Sequence, residues 1–189
     1  MTVAALVPFK DLAQAKSRLA LVLSQDRRRS LACRMLDHVV NILLGVTDIG
    51  TVSILSPAAP ESDAKTRWLL DHGRGLNPEI ADAVGKLDAS RVLIIHADLP
   101  QLDGEDIRAL VTAARDHDVV IAPDKAGTGT NALLLDPKAG FPFAFGPGSF
   151  EAHRRIAAEH KWSLGIVRRP GLSLDIDDPA DLAAAGLTE

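Results

Sequence analysis

The chain is predicted to be an α/β domain in which a parallel sheet is sandwiched between helices, and three observations predict it. Val92 to Ile95 is a run of branched apolar residues bounded by charge, the pattern of a strand buried on both faces. Residues 2–7, TVAALV, form a second such run, stopped by Pro8. Between them lies an amphipathic helix over residues 25–44, whose stripe is Leu31, Met35, Leu36, Val39, Val40 and Leu43. At 189 residues one domain with a substantial core is expected. The strand at 92–95 leads to Asp98-Leu99-Pro100. Pro100 restricts Leu99 to extended conformations, so the chain leaves the sheet directly after Asp98. That carboxylate sits just past a strand C-terminus, where open α/β sheets bind ligands; capping the following loop is its plainer use.

Composition narrows the function classes. A hydrophobic share of 47% and a charged share of 24% are ordinary for a globular protein. Net charge is −4, and the basic run Arg27-Arg28-Arg29 belongs to a solvated helix face, so nucleic-acid binding has no electrostatic support. Cys33 is the only cysteine, which excludes an internal disulfide and a thiolate metal site; its apolar helical setting marks it as a small core residue. The opening MTVAALVPFKDL is broken by Pro8 and Lys10 before it reaches signal-peptide length. No segment approaches the roughly 20 apolar residues of a membrane span, so the cytoplasm is the expected location.

In chain order, Ser24 is the expected N-cap of the helix at 25–44 and Gly45 its stop. Strands follow at 50–55 and 66–70, with a surface loop or short turn at 58–65. Asn77 as N-cap with Pro78 at the first helical position starts a helix to about residue 87. Beyond Asp98 the pattern gives a helix at 103–115, strands at 119–122 and 132–135, and a helix at 150–160. Ser149 is the candidate cap of that last helix and His153 reads as a surface residue in its first turns. A strand pair at 163–167 and 172–174 and a short terminal helix at 180–185, capped by Asp178, complete the chain.

The loops carry the chemistry. Lys10, Lys16 and Arg18 follow closely on strand one; cations there suit a polyphosphate, and Arg18 can make bidentate contacts with phosphate oxygens. Gly73 and Gly75 precede a helix start and allow a ligand close to the backbone. The segment 127–131, GTGTN, offers backbone N–H groups and hydroxyls to an anion, as do Gly146, Gly148 and Ser149 at the next helix start. The first of these loops is neither a Walker A loop nor a dinucleotide fingerprint, because no Gly-Lys-Ser/Thr leads into a helix and it precedes a strand. Asp175 and Asp177 share one side of an extended segment, where one of them is free to hold a divalent metal with Asp98. Mg²⁺ is usually bound by one or two carboxylates plus substrate phosphates. Cations, phosphate cradles and paired acids at one sheet edge are the inventory for metal-assisted nucleotidyl transfer. An ionised phosphate needs no strong base to attack, which agrees with the absence of a persuasive Ser-His-Asp or Cys-His set.

Several motifs recur in order: Val7-Pro8-Phe9-Lys10, Ala15-Lys16-Ser17-Arg18-Leu19, Gly75-Leu76-Asn77, Ala97-Asp98-Leu99-Pro100, Gly127-Thr128-Gly129-Thr130-Asn131, Phe145-Gly146-Pro147-Gly148-Ser149-Phe150 and Asp175-Ile176-Asp177. With them the chain resembles, over nearly its whole length, the phospholactate/phosphoenolpyruvate guanylyltransferases of coenzyme F-420 biosynthesis. The resemblance implies a GT-A-like nucleotidyltransferase fold, with a mixed, mostly parallel sheet and helices on both faces. It implies GTP and a phosphorylated three-carbon acid as substrates, diphosphate as leaving group, and Mg²⁺. Carried over by motif, Thr130, Gly146 and Ser149 would bind the acid, and Asp98 with Asp175 or Asp177 the metal. Lys16 and Arg18 would act on the triphosphate beside Pro8 and Lys10, with Gly75 and Asn77 near the guanine. Phospholactate, phosphoenolpyruvate and phosphoglycerate all fit the motifs, and a homodimer is among the open oligomeric states. The stretch before Gly73 is short for the family, which leaves the helix expected there in doubt. The cationic, glycine-free loop after strand one argues against sugar- and molybdopterin-activating relatives. A transferase using CTP or a sugar phosphate, and a non-catalytic nucleotide-binding module, are the competing readings.

Overall fold

The computed structural model describes residues 2–9, 17–60 and 65–186. Its strands are β1 (Val3–Pro8), β2 (Ile49–Ser56), β3 (Thr66–Leu70), β4 (Arg91–Ile95), β5 (Val119–Pro123), β6 (Thr130–Leu135) and β7 (Leu164–Ile166). They form one seven-stranded sheet in the order β3-β2-β1-β4-β6-β5-β7. β1 runs parallel to β2 and β4, β3 parallel to β2, and β7 parallel to β5. β6 alone is reversed, antiparallel to both β4 and β5. The sheet is therefore mixed and mostly parallel.

The apolar runs at 3–7 and 92–95 take the centre because both of their faces are covered. Leu93 and Ile95 pack with Val3, Ala5 and Val7 under α1 (Gln25–Leu44) and α3 (Gly104–Ala113). Val92 and Ile94 face the other way, with Leu6, under α2 (Leu76–Val84) and α4 (Ser149–Glu159). Helices thus cover both faces. A smaller cluster joins Leu19, from the 3-10 turn Ser17–Leu21, to Leu31 and Met35 of α1 and to Ile176 and Leu182. It brings the C-terminal segment and α6 (Pro179–Ala184) against the start of α1.

Three of the six described α-helices start at a side-chain cap. Ser24 caps α1 by accepting from the Arg27 N–H at 3.3 Å. Asp103 with Asp106, and Asp178 with Asp181, form reciprocal capping boxes at α3 and α6.

Four expectations are corrected. α2 begins at Leu76, with Gly75 as its cap at φ +102°, so Asn77 lies inside the helix and its amide is free for a tertiary role. α4 begins at Ser149 after a left-handed Gly148 (φ +73°), a conformation that glycine adopts without Cβ strain; Ser149 is the first helical residue, not the cap. Residues 172–174 form no strand: Pro170 starts a short helix, α5 (Pro170–Ser173), and the Ser173 hydroxyl donates to the Arg169 carbonyl at 2.8 Å. Cys33 is only partly buried on α1. Of the loop expected at 58–65, residues 61–64 lie outside the described residues. Among the described residues, no helix is long and apolar enough to cross a membrane.

Candidate active site

The C-terminal ends of β1, β4 and β5 and the start of β6 meet at one edge of the sheet, where they border a cavity of about 690 Å³. Its lining includes Pro8, Arg18, Asp98, Thr130, Gly146, Ser149, Asp175 and Asp177. Eight of the residues singled out in the sequence are thereby brought to one place. Lys10 and Lys16 lie outside the described residues.

The acidic wall is built by β4, β6 and the C-terminal segment. The Ile176 N–H donates to the Asp98 carbonyl at 3.3 Å, which fastens the acidic segment to the end of β4. From β6, the buried Asn131 amide donates to the Leu172 carbonyl at 3.0 Å and to Asp175 Oδ1 at 3.3 Å. Burial pushes the Asp175 carboxyl above its ordinary range, and the neighbouring Asp98 carboxylate pushes it further. Asp177 stands 3.6 Å from the Arg18 guanidinium in a solvent-exposed ion pair. Among the described residues no three acidic, histidine or cysteine groups form a ready metal cage. Two half-buried carboxylates that repel each other on a cavity wall nonetheless suit Mg²⁺, which takes one or two carboxylates and completes its shell with water and phosphate oxygens. The donor set fits that ion: the Asp98 charge acts on Asp175, whereas Asp177 is paired with Arg18.

The loop between β5 and β6 is held by hydrogen bonds the sequence did not disclose. Asp124 accepts from the N–H groups of Thr128 (2.8 Å) and Gly129 (2.9 Å) and from the Thr128 hydroxyl (3.1 Å). The Thr128 and Gly129 N–H groups, expected to help cradle an anion, are therefore occupied, and a Cβ at Gly129 would stand 2.8 Å from the Asp124 carboxylate. The loop reaches the cavity through Thr128, Gly129, Thr130 and Asn131. The Phe150 N–H donates to the Thr128 carbonyl at 3.1 Å, which joins the loop to the start of α4.

His153 is not a surface residue. It is fully buried, with Nδ1 3.0 Å from Thr130 Oγ1 and with Nε2 accepting from the Ala144 N–H at 3.1 Å. The Phe145 ring meets it edge-on at 4.9 Å. Burial pushes the imidazole down to about 4. The signal was present in the sequence, since Phe150, His153 and Ala157 lie on one helical stripe that the structure buries.

Asn77 does not cap α2 but ties it to Phe145. Its amide donates to the Phe145 carbonyl at 3.0 Å and its Oδ1 accepts from the Phe145 N–H at 2.7 Å. The neighbour that lines the cavity is Leu76; Gly75 and Asn77 are not among its lining residues. Glu79, almost fully buried, accepts from the Arg74 N–H (3.1 Å) and side chain (2.8 Å), and that guanidinium holds its carboxyl well below the usual range.

The profile of the family described as "Guanylyl transferase CofC like" matches residues 3–187. The chain belongs to this family. It is 39% identical over 189 residues to a phosphoenolpyruvate guanylyltransferase of Sphaerobacter thermophilus, covering 96% of this chain and 91% of that one. A phosphoenolpyruvate guanylyltransferase of Rubrobacter xylanophilus is 38% identical, over 97% of this chain and 93% of the other. Among solved structures, a nucleotidyl transferase from Methanothermobacter superposes with a TM-score of 0.70 at 14% identity, covering 96% of this chain and 94% of that one. The 4-diphosphocytidyl-2C-methyl-D-erythritol synthase of Anaerococcus prevotii does so with a TM-score of 0.69 at 11% identity, covering 98% and 95%. At those identities the likeness is one of fold, and it is the nucleotidyltransferase fold. As a member of the guanylyltransferase family, the protein is a nucleotidyltransferase.

Proposed function

We propose that the enzyme transfers GMP from GTP to the phosphate of a phosphorylated three-carbon acid, phosphoenolpyruvate foremost, within coenzyme F-420 biosynthesis. An oxygen of the acid's phosphate bonds to the α-phosphorus of GTP, the bond from that phosphorus to the bridging oxygen breaks, and diphosphate leaves with the electron pair. The observation that carries the reading is the set of groups that line one cavity: the carboxylates Asp98 and Asp175 together with Thr130, Gly146 and Ser149. The names of the relatives favour phosphoenolpyruvate over phospholactate and phosphoglycerate.

Asp98 and Asp175 are the residues that would hold Mg²⁺, with Asp177 at the rim. When bound, the ion supplies positive charge against the oxygens that become more negative as diphosphate leaves. Arg18, and Lys16 from the preceding loop, neutralise the triphosphate. Thr130 and Ser149 donate to the anionic acid, and Gly146 and Gly148 let it approach the backbone. Leu76, flanked in the chain by Gly75 and Asn77, borders the nucleobase, with Pro8 and Lys10 on the nucleotide side.

The test is diphosphate release in side-by-side assays of GTP and CTP with each of the three acids. GTP with phosphoenolpyruvate is expected to be fastest. CTP serving as well as GTP would remove the guanylyl assignment; phospholactate or phosphoglycerate outrunning phosphoenolpyruvate would remove the choice of acid.

A further inference from the structure

The strongest feature outside the acidic wall is the buried chain Ala144 N–H to His153 to Thr130. A backbone N–H can only donate, so His153 Nε2 must carry a lone pair. The ring is then neutral with its proton on Nδ1, and Nδ1–H donates to Thr130 Oγ1. A cationic ring would have no lone pair for Ala144. With its oxygen accepting from the histidine, the Thr130 hydroxyl keeps one hydrogen to place, and Thr130 lines the cavity. The same imidazole, through Ala144, anchors the stretch that leads into Phe145 and Gly146.

We propose that His153 is a positioning residue for the acid substrate: by donating to Thr130 Oγ1 it sets that hydroxyl as a donor toward the cavity, aimed at an anionic oxygen of the phosphorylated acid. A hydroxyl can serve as donor or acceptor, and only the donor form suits an anion. An imidazole held in one tautomer removes the other option before substrate arrives, which lowers the ordering cost of binding. Ala144, His153 and Thr130 are not among the residues proposed to hold the nucleotide or the metal, so the effect is expected on the acid. The inference rests on the acid-binding role proposed for Thr130.

Steady-state kinetics on four variants, with phosphoenolpyruvate and GTP varied separately, test it. His153→Gln places its amide at the Nε2 position and loses the donor to Thr130. It should raise KM for phosphoenolpyruvate about tenfold or more while KM for GTP stays within about twofold. His153→Asn, whose amide reaches the Nδ1 position, should recover most of that loss. In a Thr130→Val background, His153→Gln should cost nothing further, because the hydroxyl it acts through is gone. Equal rises in both KM values, or losses that multiply in the double variant, would make His153 a packing residue and overturn the proposal. A measurement on the unaltered enzyme stands apart from variant folding: imidazole ¹⁵N–¹H NMR should show the Nδ1–H tautomer for one buried histidine at neutral pH, and the Nε2–H tautomer there would also overturn it. Wild-type enzyme inactive with every phosphorylated acid would defeat the function itself; active wild type with an unaffected His153→Gln would defeat only the role of His153.

Discussion

At the scale of single residues, the site depends on side chains that hold other side chains. Asn131 is the clearest, because its one amide grips both the Leu172 carbonyl and the Asp175 carboxylate. Asn131→Ala leaves Asp175 unoriented on the cavity wall and should lower kcat by about 10- to 100-fold, the usual effect of removing such support, with a loss of stability of about 1–3 kcal/mol from the orphaned carbonyl. Rate assays with thermal melting check both. His153 makes a pH prediction. Its folded value of about 4 lies below the ordinary 6.5, so the unfolded chain binds this proton more readily. The stabilisation is complete above about pH 6.5, declines as pH falls toward 4, and changes no further below that. Denaturant unfolding should therefore show the stability advantage of wild type over His153→Gln shrinking by about 3 kcal/mol between pH 7 and pH 4. A parallel decline in the two proteins would contradict a ring kept neutral by the fold. Asp98 was legible in the sequence because it sits at a strand end before a proline. Asp124 and His153 were not assigned, since a lone acid beside a glycine loop and a histidine in a first turn each have a commonplace surface reading.

Elements with strong punctuation were read accurately, and those whose ends depend on tertiary bonds were not. α1 runs over the expected residues because Ser24 and Gly45 mark its ends chemically. The start of α2 is offset because the Asn77-Pro78 pair imitates a cap, whereas the asparagine is spent on Phe145. Residues 172–174 alternate like a strand, yet Pro170 and the Asn131 bond to Leu172 hold that segment in a helical turn. The Asn77 link connects α2 to the loop that leads into α4. Asn77→Ala breaks two hydrogen bonds across that link and should cost about 1–3 kcal/mol of stability, read from the denaturation midpoint, while raising KM for the acid. Gly148→Ala forces a side chain into the left-handed region at φ +73° and should cost about 1–2 kcal/mol, again with weaker acid binding. An unchanged acid KM in both variants would mean the 143–149 loop is not part of the acid site.

At the scale of the whole molecule, the order of strands explains why distant motifs meet. Parallel β1 and β4 at the centre send their C-terminal ends to one edge, and the reversed β6 starts there, so Pro8, Asp98 and Thr130 converge though far apart in sequence. The parallel core was legible from its apolar runs; the family resemblance implied a mixed sheet but not that β6 is the reversed strand, because strand direction leaves no mark on a buried apolar run. In the proposed reaction the cavity is catalytic and Asp98, which lines it, is indispensable. The most direct measurement is diphosphate release from GTP and phosphoenolpyruvate with Mg²⁺, comparing wild type with Asp98→Asn at matched melting temperature. The account predicts a loss of about a hundredfold or more in the variant. A variant that releases diphosphate at the wild-type rate would contradict it.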